Sequence, residues 1–246
     1  MKMNVLTLFP EMFVPVIGSS ILGRAIGNGL LEIDLINIRD FTVDKHRKVD
    51  DYPFGGGAGM VMMADPAFRA LEAVEAKGKK LLYMSPRGSV LDYPKVLELS
   101  QEQEIVVLCG HYEGVDERIL TYWDMEEISI GDYILTGGEL AAMVMIDAVA
   151  RMIPDVLGDE TSASEESIYS GLLEYPQYTK PREYRDMKVP EVLVNGNHEL
   201  IHLWKFEQSL ILTKEKRPDL FEKFVEMHET LSKKEKKILE KIIAHV

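Results

Sequence analysis

The chain has 246 residues, a formal net charge of −13 and a single cysteine, Cys109. A chain this long buries roughly 70–75% of its unfolded surface, so its core needs neither disulfide nor metal; one cysteine excludes an intramolecular disulfide and fits a reducing cytoplasm. There is no run of about 18 apolar residues, so no membrane span is expected, Met1 to Phe9 lacks the marks of a signal peptide, and the acidic balance confines any nucleic-acid contact to local basic patches.

Met3 to Phe9 reads as a buried strand, and Phe13 to Ile26 as a helix stopped by Gly27-Asn28-Gly29. Leu31 to Ile38 alternates apolar and polar residues and reads as a strand. The charged run Asp44 to Asp51 leads into Gly55-Gly56-Gly57-Ala58-Gly59, where glycines permit positive φ and close backbone approach. Two readings stay open for this stretch. One is a surface loop with a flexible turn. The other is a substrate loop whose Lys45, His46, Arg47 and Lys48 meet phosphates.

Asp65 to Ala76 is predicted as a helix with Asp65 as N-cap and Pro66 in the first turn. Leu81 to Met84 follows as a short strand, Tyr93 to Leu99 as a helix and Glu104 to Leu108 as a strong strand. Cys109 ends that apolar run and reads as a small buried hydrophobe. Val115 to Tyr122 is helical, Glu127 to Ile130 a strand, and Glu139 to Met152 a long apolar helix closed by Pro154. Alternating strands and helices predict an α/β fold with a parallel sheet covered on both faces.

The composition changes from Gly158 to Gly171, where Ser, Thr, Ala and Glu dominate; this reads as a flexible linker or mobile loop. Asp155 to Glu174 carries six acids and no Lys or Arg. Beyond Pro176, an Asn195-Gly196 turn precedes helical stretches at 198–213, 218–231 and 232–244, which predict a small helical C-terminal domain. Lys214 to Val246 carries nine Lys or Arg against seven acids, and its plain reading is a solvated helical face.

Neither G-x-G-x-x-G nor G-x-x-x-x-G-K-[ST] occurs, which removes the standard phosphate-binding motifs. Ligands of parallel α/β sheets still sit beyond the carboxyl ends of strands. Three glycine- or turn-rich loops lie there: Tyr83 to Gly88, Cys109 to Gly114, and Ser129 to Gly138. Three in register point to one pocket built from backbone polar groups and apolar walls. Arg151, at the end of the long apolar helix, reads either as a cation favoured by the helix dipole or as a clamp on a developing anion. Glu165 and Glu166 lie in the polar linker, where solvation is their plain reading. His198-Glu199-Leu200-Ile201-His202 matches the H-E-x-x-H zinc motif. The glycine and third histidine of its extended form are missing, since Lys205 and Gln208 occupy those places, and Glu222 or Glu226 as third ligand lies past the break at Pro218.

Longer motifs are more specific. They include Leu8-Phe9-Pro10-Glu11-Met12-Phe13, Arg39-Asp40-Phe41-Thr42, and His46-Arg47-Lys48-Val49-Asp50-Asp51 leading into the glycines. Cys109 to Arg118, Ile128 to Glu139, Asp147 to Arg151 and Gly171 to Pro176 complete the set. On these the chain closely resembles, end to end, the bacterial TrmD family of tRNA (guanine-N1)-methyltransferases in the SPOUT superfamily. His198 and Glu199 fall where that family often has a similar pair, which leaves only His202 to coincidence.

The resemblance implies a parallel sheet with a deep trefoil knot, an exception to the rule that chains avoid knots, and a small, mainly helical C-terminal domain. The implied domains are 1–157 for S-adenosylmethionine, 158–175 as linker and 176–246 for tRNA. It implies a cytoplasmic homodimer with an interfacial active site, and as substrate a tRNA with guanosine at position 37. The donor would be held by Tyr83, Met84, Ser85 and Pro86, by Gly110, Tyr112, Glu113 and Gly114, and by Ser129, Ile130, Gly131, Asp132, Tyr133, Ile134, Leu135, Gly137 and Gly138. Contacts to tRNA are expected from Lys45, His46, Arg47, Asp50, Gly55, Gly56, Gly57 and Gly59. Arg151 matches the family's arginine near the reacting base, and Glu166 falls where many members have an aspartate thought to act as general base. Ala58 and Ala141 stand where proline is common, which affects loop stiffness more than chemistry. A magnesium requirement is also implied, although no carboxylate cluster announces its site. The alternatives are a non-catalytic RNA- or nucleotide-binding module and a zinc peptidase.

Overall fold

A computed structural model describes residues 1–158, 167–227 and 231–244, and the chain divides into two compact units, 1–158 and 159–246. The strands of the first unit are β1 (Lys2–Thr7), β2 (Glu32–Asn37), the two-residue β3 (Asp50–Asp51) and β4 (Val61–Met62), β5 (Lys80–Val90), β6 (Glu104–Cys109) and β7 (Glu126–Ser129). Its helices are α1 (Val14–Ile17), α2 (Ser20–Gly27), α3 (Ala64–Ala73), α4 (Tyr93–Ser100), α5 (Glu117–Trp123) and α6 (Glu139–Ala150). Five strands form one sheet in the order β2-β1-β6-β5-β7, and every pairing in it is parallel.

The period-two geometry of a strand explains why both faces are covered. In β6, Ile105, Val107 and Cys109 join one apolar cluster, while Val106 and Leu108 join another. The first cluster takes in Leu22 and Ala25 of α2, Val96 and Leu99 of α4, and most of α6. The second takes in Ala67, Ala70 and Leu71 of α3 and Ile119 and Leu120 of α5. Each fully buried aliphatic side chain contributes about 1.5–3 kcal/mol relative to exposure.

Three local expectations are corrected. The helix predicted over Phe13 to Ile26 is two helices, because the chain breaks at Gly18-Ser19 and Ser20 takes a left-handed φ of 52°. A Cβ on Gly23 would lie 2.8 Å from the Gly18 carbonyl carbon, so a glycine there lets α2 fold back against α1. Helix α3 starts at Ala64 with Met63 at the cap position, and Asp65 pairs with Arg69 one turn on (3.0 Å) rather than capping. Strand β5 runs through Ser85-Pro86-Arg87-Gly88, expected as a loop, by means of a register shift against β7 between Met84 and Ser89.

Among its described residues the second unit holds a two-stranded hairpin, β8 (Glu183–Tyr184) and β9 (Met187–Lys188), and three helices, α7 (His198–Lys216), α8 (Pro218–Met227) and α9 (Lys233–Ala244). Leu210, Phe221, Leu239 and Ile242 form its core together with Leu172. Residues 167–171, read from composition as part of a linker, and residues 172–175, placed in it by the implied domain bounds, fold onto this core. The Leu173 amide donates to Thr213 Oγ1 (2.8 Å), and Lys205 sits over the Tyr175 ring at 4.5 Å.

Candidate active site

The three stretches expected as loops, one of them the middle of β5 and the other two the loops after β6 and β7, converge on one cavity of about 380 Å3. Tyr83, Met84, Ser85 and Pro86 line it from β5, and Gly110, Tyr112, Glu113 and Gly114 from the second stretch, the loop after β6. From the third come Ser129, Ile130, Gly131, Tyr133, Ile134, Leu135, Gly137 and Gly138; Asp132, expected with them, does not line it. Arg87, His111, Glu117, Thr136 and Ala141 also line the cavity, although sequence reasoning did not single them out as ligand contacts. His111 could have been found, since it sits inside the glycine-flanked loop; Arg87 and Glu117 signal nothing until the fold brings them together.

The second and third loops are clasped. The Gly138 amide donates to the Gly110 carbonyl (2.7 Å), and His111 bridges Gly137 in antiparallel fashion. A Cβ on Gly138 would stand 3.0 Å from Cys109 Cα and 3.1 Å from the Gly110 nitrogen, and one on Gly110 would stand 2.6 Å from the Tyr83 hydroxyl. These glycines keep side chains out of a narrow cradle whose polar groups are backbone N–H and C=O, which suits a ligand approached closely by main chain. Tyr112 takes a left-handed φ of 60° there, a strained conformation of the kind concentrated at ligand sites.

At the cavity mouth, the Arg87 guanidinium forks onto Glu127 (2.9 and 3.0 Å) and reaches Glu117 at 3.3 Å. Burial, reinforced by the charge of Glu127, pushes the Tyr83 phenol up to about 12, so it stays protonated at neutral pH. Burial likewise pushes the Cys109 thiol well up, with the charge of Glu139 adding to it, which leaves that sulfur un-ionised and poorly nucleophilic.

The glycine-rich stretch is tied to the same cavity wall. Met62 and Asp116 amides donate to Gly114 and Met62 carbonyls (both 2.9 Å), and the Glu113 amide donates to Met60 (2.9 Å). Gly55, Gly56, Gly57 and Gly59 all have positive φ, and Asp50 lies in β3, paired with Met62 of β4. Lys45 and His46 are exposed. Arg47 pairs with Asp40 (3.3 Å) and Lys48 with Asp51 (3.0 Å); such exposed pairs are worth about 0–1 kcal/mol and yield readily to a phosphate. The Asp44 carboxylate lies below the usual range because it accepts from the His46 and Lys48 amides, which shapes the turn.

Arg151 is partly buried at the C-terminal cap of α6 and does not line the cavity. The cavity meets that helix at its other end, at Gly138 and Ala141. Twelve helical residues separate the ends, about 18 Å at 1.5 Å per residue. Glu165 and Glu166 lie outside the described residues. In the second unit His202 Nε2 is 3.0 Å from Glu235, and Glu199 pairs with Lys234, so two residues of the zinc-like motif dock α9 onto α7. Among the described residues no group of three His, Cys, Asp or Glu side chains could hold a metal, and no helix is long and apolar enough to cross a membrane.

Comparison with known proteins adds two kinds of match over nearly the whole chain. The family model described as tRNA (Guanine-1)-methyltransferase TrmD matches residues 1–223. A protein named tRNA (guanine-N(1)-)-methyltransferase from Clostridium perfringens (strain 13 / Type A) is 54% identical over 240 residues, covering 97% of this chain and 99% of its own. Proteins of the same name from Ruminiclostridium cellulolyticum (57% over 226 residues, 91% and 97% covered) and Syntrophomonas wolfei (53% over 245 residues, 100% and 98% covered) are similarly close.

Proposed function

The chain belongs to the tRNA (guanine-1)-methyltransferase TrmD family, and from that premise we propose the site and course of its reaction. The enzyme methylates a tRNA guanosine with S-adenosylmethionine as donor, and the finer reading is N1 of the guanosine at position 37. The observation that carries this reading is the convergence of the middle of β5 and the loops after β6 and β7 on one glycine-lined cavity.

The cavity fits the donor in kind. Its size falls in the range of small-molecule sites, and a Cβ on Gly110 or Gly138 would press on the Tyr83 hydroxyl or on the Cys109–Gly110 backbone that form its walls. Tyr83 to Pro86, Gly110 to Gly114 and Ser129 to Gly138, Asp132 apart, are the residues that would hold it. When bound, S-adenosylmethionine supplies an already activated methyl group on a sulfonium. The protein's task is then to make guanine N1 nucleophilic. Glu166 takes the N1 proton and Arg151 stabilises the charge that moves onto O6. Burial of Glu166 against bound RNA disfavours its charged form and makes it a stronger base than a free carboxylate. The implied magnesium ion finds no matching donor set among the described residues.

A homodimer completes this scheme. Leu140 and Val144 of α6 are 49% and 51% exposed, and Arg151 lies three turns along the same helix face. A second copy packed antiparallel on that stripe brings each Arg151 toward the other copy's cavity, which bridges the ~18 Å that separates them within one chain. The exposed apolar stripe supports that arrangement. The same reading assigns residues 1–157 to the donor, 158–175 to a connection whose last part, 167–175, packs on the second unit's core, 176–246 to tRNA and the protein to the cytoplasm, and it includes the trefoil knot. The clasp of Gly138 on Gly110 supports the knot, since it holds the third loop against the second.

The test is transfer of labelled methyl to unmodified tRNA carrying guanosine at positions 36 and 37, against the same tRNA with adenosine at 37. Label on the first alone is expected. Equal label on both would overturn the target base, and label on neither would favour a binding module.

A further inference from the structure

Glu139, the first residue of α6, is only 2% exposed. Burying a carboxylate is costly unless it has partners. Its Oε1 accepts a hydrogen bond from Thr7 Oγ1 at 2.9 Å, and Thr7, itself fully buried, is the last residue of β1. Its Oε2 faces His111 Nδ1 at 3.8 Å. That nitrogen is buried and has no hydrogen-bond partner among the described residues. Between the two stands Gly137, where a Cβ would lie 2.3 Å from Glu139 Oε2 and 2.5 Å from His111 Nδ1. No side chain could occupy position 137 without parting them.

The surroundings give this pair a purpose. His111 lines the cavity and packs against Phe9 (ring centroids 4.9 Å) and Tyr112 (5.1 Å). Glu139 thus ties the end of β1, the neighbour of the central strand β6, to the second loop through His111, and to the third loop through its own backbone position. A shift of less than 1 Å brings Nδ1 into hydrogen-bond range of Oε2. The helix N-terminus at Glu139 favours the negative charge the pairing needs.

We propose that Glu139 is a positioning residue for the methyl donor, acting through His111 to hold the second and third loops in the arrangement that accepts it. This rests on reading the cavity as the S-adenosylmethionine site. Glu139→Gln keeps an acceptor for Thr7 and removes the charge that faces His111, so the fold is retained while the coupling is lost.

The experiment is titration calorimetry of S-adenosylmethionine into the wild-type protein, Glu139→Gln, His111→Ala and the double variant, with melting temperature measured in the absence of ligand. Each single variant is expected to bind the donor about tenfold more weakly with its melting temperature within a few degrees of wild type. The double variant is expected to bind no more weakly than the singles, as two residues acting through one contact are not additive. A double variant weakened by the product of the single effects, about a hundredfold, would overturn the proposal, as would unchanged affinity in Glu139→Gln. If Glu139→Gln does not fold, Thr7→Val takes its place, since Thr7 does not line the cavity and reaches it only through Glu139: wild-type affinity overturns the proposal, and a several-fold loss at unchanged melting temperature supports it. Absence of binding by the wild-type protein would overturn the donor-site reading itself, and this inference with it.

Discussion

Gly59 and Glu113 are packed so closely that a Cβ on Gly59 would lie 2.4 Å from Glu113 Cγ. The glycine has φ +83°, so it serves both a left-handed backbone and a contact that joins the expected tRNA loop to the expected donor loop. Gly59→Ala therefore incurs backbone strain of roughly 1–3 kcal/mol and displaces the Glu113 side chain. A fall in melting temperature of about 2–12 °C is expected together with weaker donor binding. Loss of stability with donor affinity intact would show that Glu113 does not depend on the glycine loop.

Gly138→Ala tests the cradle from the opposite wall. Its Cβ would meet Cys109 Cα at 3.0 Å and the Gly110 nitrogen at 3.1 Å, both backbone atoms that move only if the clasp opens. Donor affinity is expected to fall at least about tenfold, of the order seen when packing forces backbone shifts of 1–3 kcal/mol. Calorimetry reads this directly, and binding within twofold of wild type would place the donor elsewhere.

The sheet and the three loops were legible because strand runs such as Ile105 to Leu108 are apolar on both faces and each is followed by glycine. The course of β5 was not, because Pro86 and Gly88 normally punctuate a chain. Here Gly88 instead lets β5 press on β7, where a Cβ would lie 2.2 Å from the Glu127 carbonyl carbon. The Arg87–Glu117–Glu127 cluster was illegible for another reason: its members are 30 and 40 residues apart, and charge spacing along a sequence does not report contacts made across a sheet. The same holds for Glu139, which reads in sequence as an ordinary first-turn acid and is identified only by burial and by Thr7 and His111.

The opposite end of the sheet sets an acid limit on stability. Burial raises the Glu126 carboxyl, but hydrogen bonds from Lys80 (2.7 Å) and Lys95 (2.8 Å) outweigh it and hold the group below its usual value of 4.5. A depressed carboxylate contributes stability that is present above its unfolded pKa and is lost as pH falls through the folded one. Lys95→Met removes part of that contribution, a few tenths to about 1 kcal/mol for a partly exposed pair. At pH 7 the variant should melt about 1–4 °C below wild type, and the gap should narrow as pH falls below 4.5 and close once the lowered folded value is passed. A gap that does not narrow in acid would mean that the lysine acts by packing its stem and not by its charge.

Glu166→Gln separates base chemistry from binding. The amide keeps the shape and loses the proton-accepting charge, so single-turnover methyl transfer should slow by about 100-fold or more, in line with loss of general base catalysis, while donor and tRNA affinities stay within a few-fold. A rate within a few-fold of wild type would remove Glu166 from the proton path.

Arg151→Ala tests both the clamp and the dimer. Turnover should drop by about 100-fold or more with donor affinity nearly unchanged, because the residue sits at the far end of α6 from its own chain's cavity. If each Arg151 serves the partner's cavity, two inactive variants should rescue one another. A chain carrying Arg151→Ala has an intact cavity, and a chain carrying Gly138→Val has an intact arginine. A heterodimer of the two, co-expressed with different tags and purified through both, contains one site with a working cavity and a working arginine. It should recover close to half of wild-type activity, while each homodimer stays inactive. If Arg151 instead acts on its own chain's cavity, one heterodimer site lacks the arginine and the other cannot bind the donor, so no activity returns.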